Sequence, residues 1–217
     1  MVKGIIFDAD GTIWDSSYDI LDSMNKALRK FGLPTVTRDE IFKNLSYGAK
    51  FLCDKTLDGR LDEKASAEFL KTYNEIYTNC GSPLTRLYDG VDEMLIGVKK
   101  LGVKIAMLSN KPQQSLDPVC DKLLRKYEFD FIYGQREGFK TKPARETTEF
   151  VIENLGVDKQ DVVMVGDSEI DYLTGKNAGL RVVSCLWGFR TKQLLVDNGA
   201  DLFIDSPAEL VDVIKNM

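Results

Sequence analysis

Six short, dense apolar runs punctuate the chain: Val2–Phe7, Val103–Leu108, Phe129–Tyr133, Val162–Val165, Arg181–Ser184 and Leu202–Ile204. They are rich in Val, Ile and Phe and do not alternate with polar residues. That pattern predicts strands covered on both faces, as in a parallel sheet. Between the later runs the apolar spacing turns helical. Val91–Leu101 places apolar residues at 91, 94, 95, 98 and 101 and stops before Gly102, one buried helix face with a glycine stop. Leu116–Tyr127, Glu146–Leu155, Tyr172–Ala178 and Pro207–Ile214 repeat it. Strands alternating with helices predict βαβ units with right-handed crossovers.

Residues 15–85 break the alternation. Tyr18–Phe31, Asp39–Leu45, Ala49–Leu57 and Lys64–Tyr77 all have helical spacing, and no strand pattern lies among them. So long a helical block between the first two strands exceeds a simple crossover and predicts an inserted helical cap. Hinges are expected near Asp15–Ser17 and near Cys80–Asp89, where Gly81, Ser82, Pro83 and Gly90 cluster. The expected fold is therefore α/β, a Rossmann-like parallel sheet core (residues 1–14 and 86–217) with an α-helical cap domain (residues 15–85). There is no internal repeat and no low-complexity segment.

Composition narrows the chemistry. The chain has 217 residues, 29 basic against 34 acidic, for a net charge of −5. That balance argues against nucleic acid or an anionic membrane as partner. No run is long enough to span a bilayer, and the N-terminus enters a strand pattern without a signal-peptide core, so a cytoplasmic location is expected. The four cysteines (Cys53, Cys80, Cys120, Cys185) show no Cys-x-x-Cys spacing and read as buried thiols. Cys120 and Cys185 precede Arg125 and Arg190 by one residue too few for a cysteine-phosphatase loop. The chain has no histidine, which removes Ser-His-Asp and Cys-His catalysis, histidine phosphatases and His-ligated zinc. Any bound metal must have oxygen ligands, hence Mg²⁺, Ca²⁺ or Mn²⁺.

The first apolar run ends in Asp8-Ala9-Asp10-Gly11-Thr12. One reading is an Asp-Gly turn closing a hairpin. The other places two carboxylates at a strand tip, on the sheet edge where open α/β folds bind ligands. Later strands resolve the choice. Ser109-Asn110-Lys111-Pro112 follows the second run, Lys142-Pro143 lies in the loop after the third, and Gly166-Asp167-Ser168-Glu169-Ile170-Asp171 follows the fourth. A parallel sheet brings all these tips to one edge. Acids to hold a hard cation, with a Lys and a Ser hydroxyl to meet phosphate oxygens, form an inventory for magnesium and phosphate. Gly134–Thr141 (GQREGFKT) has the wrong spacing for a phosphate-binding P-loop and reads as a surface loop. Trp187 and Phe189 read as packing rather than base-stacking residues.

These motifs, in this order, resemble the haloacid dehalogenase superfamily of phosphotransferases over essentially the whole chain. D-x-D-G-T stands at Asp8–Thr12, the motif Ser at Ser109, the motif Lys at Lys142 and G-D-S-x-x-D at Gly166–Asp171. The resemblance implies that Asp8 attacks phosphorus and forms an aspartyl phosphate, and that Asp10 protonates the leaving oxygen and then activates water. It implies Mg²⁺ on Asp8, the Asp10 carbonyl and Asp167. Ser109, Asn110 and Lys142 would hold the phosphoryl group, with Asp171 steadying Lys142 and Ser168 supporting from the same motif. An acid at position 10 separates phosphoryl-transfer members from dehalogenases, whose leaving halide needs no proton.

The inserted cap, together with Asp10–Ser16, Ser109–Pro112 and Trp187-Gly188-Phe189-Arg190, is most similar to the phosphoglycolate phosphatase branch. Arg145 stands where that branch often has a second Pro, and Asp89-Gly90 where it often has Pro-Gly. The implied activity is hydrolysis of a small phosphorylated metabolite, a phosphoglycolate-like monoester. A phosphomutase of β-phosphoglucomutase type and a non-catalytic phosphate-ligand binding protein are the alternatives. In the cap, Tyr47 and Lys50 are expected to select substrate, against the plainer reading of Lys50 as a solvated helix charge.

Overall fold

A computed structural model describes all 217 residues. The chain begins with strand β1 (Gly4–Phe7), whose Ile5, Ile6 and Phe7 are fully buried. Burial of such side chains stabilises by about 1.5–3 kcal/mol each. A short strand β2 (Trp14–Asp15) leads into four helices, α1 (Ser17–Lys30), α2 (Arg38–Phe42), α3 (Ala49–Leu57) and α4 (Glu63–Asn79). Strand β3 (Arg86–Leu87) returns the chain to the core. There follow α5 (Val91–Lys100), β4 (Lys104–Pro112), α6 (Gln113–Leu123), β5 (Phe131–Gln135), α7 (Arg145–Leu155) and β6 (Val162–Gly166). The chain ends with α8 (Glu169–Ala178), β7 (Arg181–Cys185), α9 (Lys192–Asp197), β8 (Phe203–Ile204) and α10 (Glu209–Asn216).

Six strands form one parallel sheet in the order β5-β4-β1-β6-β7-β8. The first strand in sequence sits centrally, with Phe7 paired to Met107 of β4 and to Val165 of β6. Alternate β1 side chains enter opposite layers. Ile5 and Phe7 join Val91, Leu95 and Leu116 on one face, while Ile6 joins Val151, Leu155 and Tyr172 on the other. This two-sided burial is why the strand sequences carry no alternation. No helix is long and apolar enough to cross a membrane.

The helical insert has its own core of Ile20, Met24, Leu28, Leu52, Phe69 and Tyr73, which Phe189 of the sheet's loop also enters. Thr37 and Glu40 form a capping box at the start of α2, and Asp62 caps α4, which satisfies helix donors that would otherwise lack partners.

The structure departs from the sequence expectation in three places. The two crossings into the insert pair as an antiparallel ribbon, Trp14 with Leu87 and Asp15 with Arg86. Strands of two residues are too short to show any period. The Asp19 carboxylate fastens this ribbon by accepting the backbone N–H groups of Leu84 and Thr85 and the Thr85 hydroxyl. Strand β4 runs to Pro112 rather than Leu108, through a register shift between those residues. Helix α9 was not expected; only Leu195 along it is buried, so its periodicity is faint.

Candidate active site

The C-terminal edge of the sheet gathers Asp8 and Asp10 beyond β1, Ser109–Lys111 at the end of β4, Lys142 in the loop after β5, and Asp167 and Asp171 around the start of α8. All are at least half-buried.

Lys142 is the bridge. Its Nζ lies 2.5 Å from Asp8 Oδ1 and 2.7 Å from Asp171 Oδ1, with all three side chains almost wholly buried. Asp171 is oriented by a capping box, in which its Oδ2 accepts the Ser168 N–H at 3.0 Å and the Ser168 hydroxyl at 2.6 Å. The local signal S-x-x-D therefore both starts α8 and aims one carboxylate oxygen at Lys142. Burial pulls the Lys142 ammonium toward neutrality, but the Asp171 and Asp8 carboxylates outweigh it and raise its pKa.

Asp167 is held by different groups. Its Oδ1 accepts the Thr12 hydroxyl at 3.1 Å and its Oδ2 the Phe189 N–H at 2.7 Å. Two glycines let the backbone approach it. A Cβ on Gly11 (φ 98°) would lie 2.4 Å from Asp167 Oδ2, and one on Gly188 2.3 Å from Asp167 Cβ.

Carboxylate oxygens of Asp8, Asp167 and Asp171 lie within 4.8 Å of one another. Lys142 is the one cation bonded within that cluster, so the three carboxylates leave an uncompensated negative charge. Burial and the Asp171 charge push Asp8 well above the usual carboxylate range, and the same causes push Asp167 up to about 7. A hard divalent cation offsets this kind of deficit. The donor set, all oxygen and all buried, fits such an ion.

Asp10 is built otherwise. Its Oδ1 accepts three donors: Trp14 Nε1 at 2.8 Å, Lys111 Nζ at 2.8 Å and the Ser16 hydroxyl. No protein donor reaches Oδ2. Burial alone would raise its pKa, but the Lys111 ammonium and these hydrogen bonds lower it overall. One oxygen is thus fixed and the other left for a reacting group.

Asn110 ties three segments together. Its side-chain oxygen accepts the Lys142 N–H at 2.8 Å, and its Nδ2 donates to the carbonyls of Lys142 and Ser46. The Ser109 hydroxyl accepts the Lys111 N–H at 3.1 Å. A cavity opens between these tips and the insert, lined on the core side by Asp8, Asp10, Ser109, Asn110 and Lys111.

From the insert, Ser46, Gly48 and Ala49 line the cavity, whereas Tyr47 and Lys50 do not. The Tyr47 hydroxyl instead donates to Glu169 Oε1 at 2.5 Å. Burial and that carboxylate push the phenol up to about 12, so it stays a donor. Lys50 is solvent-exposed and pairs with Asp54 at 2.6 Å, one helical turn away. The side chain follows its own helix's charge pairing, so the plainer reading of Lys50 as a solvated helix charge is the one the structure supports.

Sequence reasoning gave no role to Lys111, Thr12, Trp14, Ser16, Glu169 or Arg190. All six sit inside quoted stretches, and Thr12 and Lys111, close to the motif acid and serine, were within reach. Trp14 and Ser16 contact Asp10 only because the chain turns sharply after β1.

The profile of the haloacid dehalogenase-like hydrolase family matches residues 5–185. The chain belongs to this family. Among curated relatives, a phosphoglycolate phosphatase of Aquifex aeolicus is 28% identical over 99% of this chain and 98% of that protein. An N-acetylmuramic acid 6-phosphate phosphatase of Pseudomonas aeruginosa is 29% identical over 98% and 95%. Among solved structures, a candidate phosphoglycolate phosphatase from Lactobacillus delbrueckii superposes with a TM-score of 0.90 at 26% identity, covering 98% of each chain. CbbY of Rhodobacter sphaeroides, solved with phosphate, shares the fold at TM-score 0.80 and 21% identity, over 97% of this chain and 96% of that one.

Proposed function

We propose that this family member is a magnesium-dependent phosphatase that cleaves a small phosphate monoester of the phosphoglycolate type through an aspartyl phosphate on Asp8. The observation that carries this reading is the cluster of Asp8, Asp167 and Asp171 within 4.8 Å, bridged by Lys142. The relatives named for phosphoglycolate support the substrate class. The relative named for a sugar phosphate is equally similar, so overall similarity does not choose between them.

In this reading Asp8, the Asp10 main-chain carbonyl and Asp167 hold Mg²⁺. The ion, when bound, draws charge from the phosphoryl oxygens and lets a carboxylate approach them. An Asp8 oxygen attacks phosphorus while the bond to the leaving oxygen breaks, and Asp10 delivers its proton to that oxygen. The free enzyme favours ionised Asp10; a phosphate dianion opposite Oδ2 favours its protonated form. Asp10 then accepts a proton from the water that attacks phosphorus, and the Asp8–phosphorus bond breaks. Lys142, Ser109 and Asn110 meet the peripheral oxygens, where charge grows. Residues 15–85 act as the cap that shuts water out during transfer, over a core of residues 1–14 and 86–217.

The experiment is phosphate release from phosphoglycolate, N-acetylmuramic acid 6-phosphate and 4-nitrophenyl phosphate, with and without Mg²⁺, for the native protein and Asp8→Asn. Turnover that needs Mg²⁺ and disappears in Asp8→Asn is expected. Full activity in Asp8→Asn would falsify the mechanism.

A further inference from the structure

The insert gives the cavity no charged residue. Its lining from that side is apolar (Ile20, Leu45, Leu52, Tyr73) or neutral and polar (Asn44, Asn74). Lys50, a cation of the insert next in sequence to this lining, faces outward and pairs with Asp54. Lys111 is therefore the one cation that lines the cavity beyond the phosphoryl site; Lys142, which pairs with Asp8 and Asp171, serves the phosphoryl group itself.

Lys111 is unusual for a lysine. Its side chain is 4% exposed, and long charged side chains are almost never so buried unless paired. An ammonium has three N–H donors. Two are used here, on Asp10 Oδ1 at 2.8 Å and on the Tyr77 hydroxyl, with the ammonium 4.6 Å from the Tyr77 ring centre. The third has no acceptor in the protein. Beside it, Asp10 Oδ2 has no donor, and the buried Ser46 hydroxyl, on the same cavity wall, has no partner. An unpartnered buried polar group is costly; the Ser46 hydroxyl is one, and Lys111 and Asp10, each with an unused hydrogen-bonding position, line the same cavity, where a ligand can supply the missing bonds.

We infer that Lys111 is a specificity-determining residue that binds a negatively charged group on the leaving alcohol, selecting phosphate esters of short 2-hydroxy carboxylic acids. This inference rests on the phosphatase reading above. If the ester oxygen is met by Asp10, a carboxylate two bonds further along the alcohol falls beside the ammonium that holds Asp10. In a low-dielectric pocket that contact is strong, and a neutral group of the same shape would leave the third N–H unsatisfied. Buried Leu52, Tyr73, Tyr77 and Phe189 line the same cavity, which fits a short alcohol.

The test compares phosphoglycolate with ethyl phosphate, in which a methyl replaces the carboxylate, and uses 4-nitrophenyl phosphate as a control for the chemistry. The native protein with Mg²⁺ is expected to favour phosphoglycolate over ethyl phosphate in kcat/KM by roughly 10- to 150-fold, the value of one hydrogen bond to a charged group. Lys111→Met is expected to erase that preference, and Lys111→Arg to restore part of it. Because Lys111 also holds Asp10, both esters slow in these variants; the ratio isolates the contact to the carboxylate. An equal loss on both esters, or no preference in the native protein, overturns the inference while leaving the phosphatase reading intact. The native comparison decides even if a variant fails to fold. No turnover of any of the three esters overturns the phosphatase reading itself.

Discussion

Arg190 Nε and Glu169 Oε2 form an ion pair at 2.9 Å, with side chains only 3% and 9% exposed. The pair joins the two halves of the molecule. Arg190 donates onward to the carbonyls of Phe42 and Leu45 in the insert, at 3.0 and 2.6 Å, and Tyr47 of the insert donates to the other oxygen of Glu169. Glu169 opens α8, two residues after Asp167, and Phe189, next to Arg190, gives Asp167 its N–H. One buried network thus holds the insert's loop against the acidic cluster.

Breaking that pair from one side leaves a buried charge unpaired, which costs about 3–5 kcal/mol. Arg190→Met is therefore expected to lower unfolding stability by about that amount, and Glu169→Gln to weaken the same network. A double-mutant cycle in urea should return a coupling energy well above that of an exposed pair, which is about 0.2–1 kcal/mol. Additive single-variant losses would show that the two residues do not act together.

Asp10→Asn should separate two kinds of leaving group. An alkyl alkoxide needs the proton, so alkyl esters are expected to slow by about 10²–10⁴-fold. 4-Nitrophenolate leaves without one. Stopped-flow mixing with the variant should then show a burst of nitrophenolate followed by slow turnover, as the phosphorylated Asp8 waits for a base. Absence of any burst, with both ester types slowed equally, would place the defect elsewhere.

Metal affinity should climb with pH. Burial and the Asp171 charge push Asp167 from the ordinary carboxylate value of 3.8 up to about 7 in the metal-free protein. A raised carboxylate pKa means that the folded state keeps a proton the unfolded chain releases. Between about pH 4 and 7 the slope of stability with pH from this group is negative, so the metal-free fold loses stability as pH rises. A cation needs the ionised form and offsets the loss. The rise in melting temperature on adding Mg²⁺ is expected to be larger at pH 8 than at pH 6, by scanning calorimetry; the opposite order would contradict a cation at this cluster.

Gly188→Ala tests how tightly Asp167 is set. The added methyl would lie 2.3 Å from Asp167 Cβ and 2.4 Å from the Gly11 carbonyl, and neither backbone can retreat freely. A stability loss of about 1–3 kcal/mol is expected. The Mg²⁺ concentration needed for half-maximal activity should also rise. An unchanged requirement would mean that the Asp167 carboxylate tolerates displacement.

The fold class and the core strands were legible because their cause is local. A run such as Gly4–Phe7, apolar at every position, has no arrangement other than burial on both faces. The candidate chemistry was legible for a related reason: Asp8 and Asp167 stand just beyond the ends of β1 and β6, Ser109 near the end of β4 and Lys142 in the loop after β5, and parallel strands share one edge. The β2–β3 ribbon was not legible, since pairing Trp14 with Leu87 needs partners far apart and leaves no period in either segment.

The sequence by itself determined the sheet, the edge where the acids collect and the identity of the groups available there, because apolar periodicity and strand direction are properties of the chain. Only the tertiary structure decided what each group touches. Lys111 meets Asp10 from 101 residues away, and Arg190 meets Leu45 from 145. Lys50, placed beside the cavity by its sequence position, turns to its helix neighbour Asp54 instead. Such choices depend on which face of the insert packs against the sheet's edge, and that is settled by the shared core of Phe189 with Met24, Leu28 and Phe69, not by any local pattern.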